Sequence, residues 1–179
     1  SAVTGNVEVD GGSGWAAAEA GQKLELDDQV RTNVGTAVIV LQESVIVRLE
    51  SNTEISIAEL SSTNVKVKQA SGTTWNKFTA LSGVENYAVE TPTTVATVRG
   101  TGFFVKDSGS ELLVSDGSVG WQAGSEEKTA GALQKLTFKE GAINDGIITL
   151  EEKQSLKQQV EADIPELKQL RWDELKVKH

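Results

Sequence analysis

Along residues 1–125 the hydrophobic positions recur every second residue in short bursts. Val7 and Val9 alternate with Glu8 and Asp10, Ile55 and Ile57 with Ser56, and Val65 and Val67 with Lys66 and Lys68. A period of two sends aliphatic side chains to one face and polar ones to the other, the pattern of a half-buried strand. Ala37–Leu41 and Val45–Val47 are apolar on both faces, so these two stretches are predicted to lie deepest. Turn residues punctuate the bursts: Gly11-Gly-Ser-Gly14, Asp27-Asp28, Asn33-Val-Gly35, Ser51-Asn52, Ser71-Gly72, Asp107-Ser-Gly109 and Asp116-Gly117. Short strands at such spacing predict an all-β fold, a two-layered roll or β-solenoid-like sandwich. No helix-period segment separates them that would serve as a parallel crossover.

The period changes after Gly124. Leu156, Val160 and Ile164 fall at i, i+4 and i+8, one face of an amphipathic helix. Thr149 with Glu152 three residues on is a capping box that starts it. Pro165 ends this helix or begins a second one carrying Leu167, Leu170 and Leu175. The expected organisation is therefore a β-domain over residues 1–125 and a linker with a C-terminal helical extension over 126–179. The apolar stripe of the tail, with Trp172, has two readings: docking on its own domain or meeting a partner.

Composition narrows the chemistry. Net charge is −9, and residues 151–179 balance six basic against seven acidic side chains, so nearly all the excess lies in residues 1–150. Such a surface repels phosphate backbones and anionic lipids, so no nucleic-acid partner is expected. Cysteine is absent, which removes disulfides, thiolate nucleophiles and Cys-ligated metals. His179, the only histidine, is the last residue, a poor place for a catalytic base. Ser-His-Asp and Cys-His triads are thereby excluded; no catalytic residue, metal or cofactor is expected, and the chain reads as no enzyme. Acidic residues always offer pairs, but no motif singles one out.

Two further patterns have competing readings. Gly141–Glu152 echoes a calcium loop, with Asp145, Gly146 and Glu152 at fitting positions, but Gly141 and Ile143 stand where oxygen ligands belong. An Asp-Gly turn leading into the Thr149 cap is the alternative. Trp15, Trp75, Trp121 and Trp172 suggest a sugar platform or, for the strand-borne Trp75 and Trp121, core packing. The sequence lacks methionine even at position 1, as a processed chain would, so a signal peptide or membrane anchor is expected to have preceded Ser1. No apolar run in it reaches membrane-spanning length.

The stretch Tyr87-Ala-Val-Glu-Thr-Pro-Thr-Thr-Val-Ala-Thr-Val-Arg-Gly-Thr-Gly-Phe-Phe-Val105 resembles the signature of the FecR family, with matches at Val89, Thr91, Pro92, Val95, Ala96, Val98, Arg99, Gly100, Thr101, Phe103 and Val105. A block before it (Gly21, Leu24, Asp28, Val30, Arg31, Thr32, then Ala37, Ile39, Leu41) and one after it (Val114, Gly117, Val119) fit in order and spacing. The sequence departs from the family at Asp27-Asp28, where Gly-Asp is usual, and at Gln42-Glu43-Ser44, where an Asp-Gly-Ser turn is usual. That predicts a differently shaped hairpin.

The resemblance implies a non-catalytic, extracytoplasmic interaction or sensing module, periplasmic or at the cell surface, that relays an outer signal through a protein partner in the bacterial cell envelope. Contact with the membrane would come only through an anchor absent from this chain. In iron-responsive sigma regulators the FecR domain follows an anti-sigma segment and a membrane helix and precedes a short secretin/TonB-like domain. None of these is visible in this sequence, and the helical tail occupies the place of the last. The alternative is a stand-alone envelope structural or carbohydrate-associated protein.

The candidate site residues are those of the motif: Thr91, Pro92, Val98, Arg99, Gly100, Thr101 and Phe103. Pro92 fixes φ and holds Thr91 extended, which suits a strand edge or corner. Arg99 sits between apolar stretches, where a guanidinium needs paired donors. It reads either as a clamp on carbonyls or an acidic side chain such as Glu90, or as a recognition residue.

Overall fold

The structure, a computed structural model, describes residues 2–79, 83–98 and 100–161, the last three by backbone alone. It is all-β with a C-terminal helix, and it divides at Gly146 into two compact units.

The chain opens with β1 (Ala2–Asp10), the two-residue β2 (Ala16–Ala17) and the long β3 (Gln29–Leu41). β1 follows β3 antiparallel along its whole course, from Val9↔Val30 to Ala2↔Val38. Midway, Asn33 and Val34 stand opposite Asn6 alone, a bulge that bends both strands. The bend lets β3 serve two layers. Its first half pairs with β5 (Thr53–Leu60), as in Val30↔Ile55; its second half pairs with β4 (Val45–Leu49), as in Ile39↔Val47.

From there the chain winds back and forth between the layers. β6 (Asn64–Ser71), β8 (Asn86–Glu90), β9 (Val95–Val98), β12 (Ser118–Ala123) and β13 (Glu126–Gly131) extend the layer of β5. β7 (Thr74–Phe78), β10 (Gly102–Lys106), β11 (Glu111–Asp116), β14 (Lys135–Lys139) and β15 (Ala142–Gly146) extend the layer of β4. Every pairing is antiparallel except β6 with β8. Antiparallel hairpins alternate with crossings between layers, which is the expected solenoid-like sandwich.

One core fills the space between the layers. The cross-strand row Val67, Val89, Ala96 and Trp121 of the first layer belongs to it, as do Val47, Val105 and Leu112 of the second. Val45, Ile46 and Val47 are all buried, as their two-sided apolar pattern predicts. In Ala37–Leu41 only Ala37, Ile39 and Leu41 are. Val38 and Val40 stay half-exposed because they alternate with these three to the face of β3 that points away from the core.

The strands run past the expected boundary at residue 125. Residues 126–146, read from sequence as the start of the linker, form β13, β14 and β15 and belong to the β-unit. The sheet's two last strands then face each other across a seam. There Ile143 N–H donates to Glu126 Oε2 (2.8 Å) and Lys128 pairs with Asp145 (3.0 Å).

The expected capping box is present. Thr149 N–H donates to the Glu152 carboxylate (3.0 Å), Glu152 N–H donates to Thr149 Oγ1 (3.2 Å), and α1 follows as Leu150–Glu161. The calcium-loop echo is not a loop: residues 142–146 are strand, paired with β14. Pro165, the helix expected beyond it, Trp172 and His179 lie outside the described residues. Among the described residues no helix is long and apolar enough to cross a membrane.

Candidate functional site: the corners of the sandwich

The motif residues occupy the two ends of β9. At one end Thr91–Thr94 closes the β8–β9 hairpin. Thr91 N–H donates to the Thr94 carbonyl (2.8 Å), and Thr94 N–H donates back to Thr91 Oγ1 (2.9 Å). Pro92, exposed, occupies a bend where no ladder donor is needed. Thr94 Oγ1 donates to the carbonyl of Gly109 (3.1 Å), in the short 3-10 turn Asp107–Gly109 that joins β10 to β11. Gly109 has φ +91°, and a Cβ there would collide with the Thr91 side chain. The Thr-Pro element is thus a turn seated on the next hairpin.

At the other end the chain passes from the layer of β9 to that of β10. Val98 and Phe103 are buried on either side, Gly100 has φ +60°, and Thr101 is fully buried. The Thr101 hydroxyl donates to the Ser118 carbonyl (2.9 Å) and accepts from Ser118 N–H (3.2 Å). It thereby ties its own crossing to the next, at residues 116–118. Gly117 (φ +76°) makes that approach possible: a Cβ would stand 2.6 Å from Thr101 Oγ1. Arg99 lies outside the described residues. Glu90, the carboxylate considered as its partner, faces Lys66 at 3.9 Å.

The Thr101 arrangement repeats at crossings that the sequence reading did not single out. Thr32 Oγ1 donates to the Glu50 carbonyl (2.5 Å) and accepts from Thr53 N–H (3.0 Å). Thr53 Oγ1 in turn accepts from Thr73 N–H (3.0 Å) and donates to the Thr73 carbonyl (3.1 Å). Each buried hydroxyl satisfies both groups of a backbone that has left its ladder to cross. The only signal was a threonine beside each turn.

A second polar feature crosses the core. Tyr87 Oη donates to Asn76 Oδ1 (2.6 Å), Asn76 Nδ2 to Thr74 Oγ1 (2.8 Å), and Thr74 Oγ1 to Gln69 Oε1 (2.7 Å). Gln69 Nε2 ends the chain on the carbonyls of Gly72 (2.8 Å) and Val105 (3.2 Å). All four side chains are 0% exposed. Tyr87 and Gln69 come from one layer, Asn76 and Thr74 from the other, so the chain pins the layers in register. Burial raises the Tyr87 phenol well above its ordinary range. The Tyr87 ring packs between Phe78 and Phe103, each 6.2 Å away.

The tryptophans separate. Trp121 is in the core, and Trp75 is buried on the opposite face of its layer, in a cross-strand row with Phe104 and Leu113. Half-exposed Trp15 lies under the Arg31 guanidinium (4.1 Å), whose Nε donates to Glu8 Oε2 (2.8 Å). That hydrogen bond, with the charge of Arg31, lowers the Glu8 pKa. Among the described residues no group of three or more His, Cys, Asp or Glu side chains is placed to hold a metal.

These features define a class: an all-β sandwich wound by antiparallel hairpins, with buried threonines stitching its crossings. The family model described as FecR protein matches residues 28–120, just over half of the chain, and the chain belongs to that family. Two crystal structures of a candidate anti-sigma factor from Parabacteroides distasonis are similar in fold. Each has a TM-score of 0.61 and 17% identity over 73% of this chain. The match spans 64% of that protein's length, just under two thirds. No curated protein matches the sequence.

Proposed function

We propose that this chain is a non-catalytic interaction module of bacterial envelope signalling, acting outside the cytoplasmic membrane by binding a protein partner. Membership of the FecR family over residues 28–120 carries the reading. The fold shared with a candidate anti-sigma factor supports a regulatory role of the sigma-regulator kind. The absence of cysteine and a lone terminal histidine favour binding over catalysis. Buried Trp75 and Trp121, and a Trp15 ring engaged by Arg31, favour protein contacts over a sugar platform.

Within the motif, Thr91, Pro92, Val98, Gly100, Thr101 and Phe103 shape the corners, and Arg99 is the residue proposed to meet the partner or to clamp its own crossing. The test is a pull-down from the native envelope fraction, comparing wild type with Arg99→Ala after thermal melts of both. Recovery of a membrane receptor or sigma-regulatory protein by wild type, lost in a variant that melts normally, is the expected result for an interface residue. Recovery of nothing specific would overturn the signalling reading, and early melting of the variant would make Arg99 a clamp.

A further inference from the structure

The Thr-Pro turn leaves a gap in the outer face of the first layer. β6 and β8 run parallel only as far as Lys68↔Glu90, where the chain turns away through Thr91 and Pro92. On its other side β6 carries a bulge: Glu54 stands opposite Ser71 and Ile55 opposite Gln69, so Ala70 is the extra residue. Ala70 has no register partner on either neighbouring strand, and its side chain is a single methyl group. A pocket of about 270 Å³ opens around it, walled by Glu54, Lys68, Glu90 and Pro92. The floor is firm, because Ile55 points into the core and Gln69 ends the polar chain from Tyr87.

Its charges are not balanced. Arg31 stands opposite Glu54 on β3, but its guanidinium is held by Glu8 (2.8 Å) and lies over the Trp15 ring (4.1 Å). Among the described residues the Glu54 carboxylate makes no hydrogen bond or ion pair. Glu90 faces Lys66 at 3.9 Å, with both side chains 38% exposed, a loose pair. Lys68, in register with Glu90, pairs with neither carboxylate. The lining thus sets two carboxylates against one ammonium, on a chain of net charge −9.

We propose that this pocket seats an arginine side chain of a partner protein. The proposal deepens the interaction-module reading and rests on it. The pocket is smaller than the roughly 300–1,000 Å³ of sites for whole small molecules, and suits one long side chain. The aliphatic stem would lie over Ala70 and the Pro92 ring, leaving the charged head at the two carboxylates. Arginine suits this better than lysine. Its planar fork can face Glu54 and Glu90 at once, whereas an ammonium is a compact and more strongly hydrated point charge. An acidic side chain would bring a third carboxylate against the single ammonium of Lys68.

The probe is N-acetyl-arginine N-methylamide, titrated into the full chain and followed by amide chemical shifts. The norleucine and glutamate analogues are its controls. We expect saturable binding with a Kd of about 1–10 mM, and shifts centred on residues 54–56, 68–71 and 90–92. Glu54→Gln should weaken binding by about fivefold to tenfold, and added salt should weaken it in the wild type. Ala70→Leu, which fills the pocket, should abolish binding and Ala70→Ser retain it, all variants being checked by thermal melt. Absence of saturable binding, shifts centred elsewhere, equal binding of either control, or unchanged affinity in Glu54→Gln or Ala70→Leu overturns the proposal. An envelope partner captured equally by wild type and Ala70→Leu would overturn the pocket and leave the interaction-module reading standing. Arginine binding that meets these expectations without any envelope partner would support the pocket and count against that reading.

Discussion

Tyr87→Phe removes one oxygen from the middle of the sandwich and leaves the ring contacts with Phe78 and Phe103 intact. What it strands is Asn76 Oδ1, which loses the donor at 2.6 Å while its residue stays 0% exposed. An unsatisfied buried acceptor costs about 1–3 kcal/mol, whereas the net worth of an ordinary hydrogen bond is about 1 kcal/mol. The site is sealed between two layers, so the upper half of that range applies, about 2–3 kcal/mol. For a unit of this size each kcal/mol moves Tm by about 2–4 °C, so a fall of roughly 4–12 °C is expected.

Urea unfolding gives the sharper reading. The midpoint should fall with the slope unchanged, because the surface exposed on unfolding is the same. Asn76→Leu leaves Tyr87 Oη as the orphan instead. The double variant removes both polar partners, so its loss should be smaller than the sum of the singles by about 1–3 kcal/mol. Additive losses, or a Tyr87→Phe loss below about 0.5 kcal/mol, would refute the claim that the chain from Tyr87 to Gln69 acts as one sealed network.

Other outcomes follow from the same geometry. Tyr87 is the only tyrosine, so absorbance of the phenolate reports it alone. Its folded pKa is raised, so its stabilising contribution is complete below the unfolded value near 10 and is lost as pH climbs beyond it. Ionisation should therefore coincide with alkaline unfolding seen by circular dichroism, and a separate earlier titration would contradict full burial. Gly109→Ala forces a side chain into φ +91° and into Thr91, and should cost about 2–4 kcal/mol in urea unfolding. A loss under about 1 kcal/mol would mean that the Thr-Pro turn is not seated on Gly109. Glu43→Gly should stabilise by about 0.5–1 kcal/mol, because Gln42 and Glu43 both hold positive φ (49° and 53°), a conformation that glycine adopts without steric cost. A destabilised variant would show that the Glu43 side chain matters more than its backbone strain.

Strand positions were legible because burial here follows the pleat. Val65 and Val67 are inside, Lys66 and Lys68 outside. The same alternation in Lys135-Leu-Thr-Phe-Lys139 announced β14, yet the ordered family blocks ended near residue 122 and the stretch was read as linker. Gln69 shows a finer failure. It follows Val65 and Val67 at the next inward position, so its burial was implied. Its partners Thr74 and Val105 come from the facing layer, and no local rule connects them. The stitching hydroxyls were hidden for a related reason: threonine in a strand reads as a β-branched strand former. The acceptors of Thr32 and Thr101 lie 18 and 17 residues on, a separation set by the winding of the chain.

That winding also decides where a partner can bind. A crossing between layers leaves backbone groups without a ladder, and they would be the natural places for another chain to pair. Here Thr32, Thr53 and Thr101 fill those groups from within, and Thr94 does the same for the Gly109 carbonyl. Whatever Arg99 touches, it is carried between a buried Val98 and a Thr101 already committed to Ser118. At that corner the Ser118 backbone is already taken by the Thr101 hydroxyl. The lateral edges differ, because there the ladder simply ends. At the β13–β15 seam the end is closed by side chains, Glu126 on the Ile143 N–H and Lys128 on Asp145. Contact at these corners would therefore run through side chains, which is why substituting Arg99 tests the proposed partner contact more directly than altering a backbone edge.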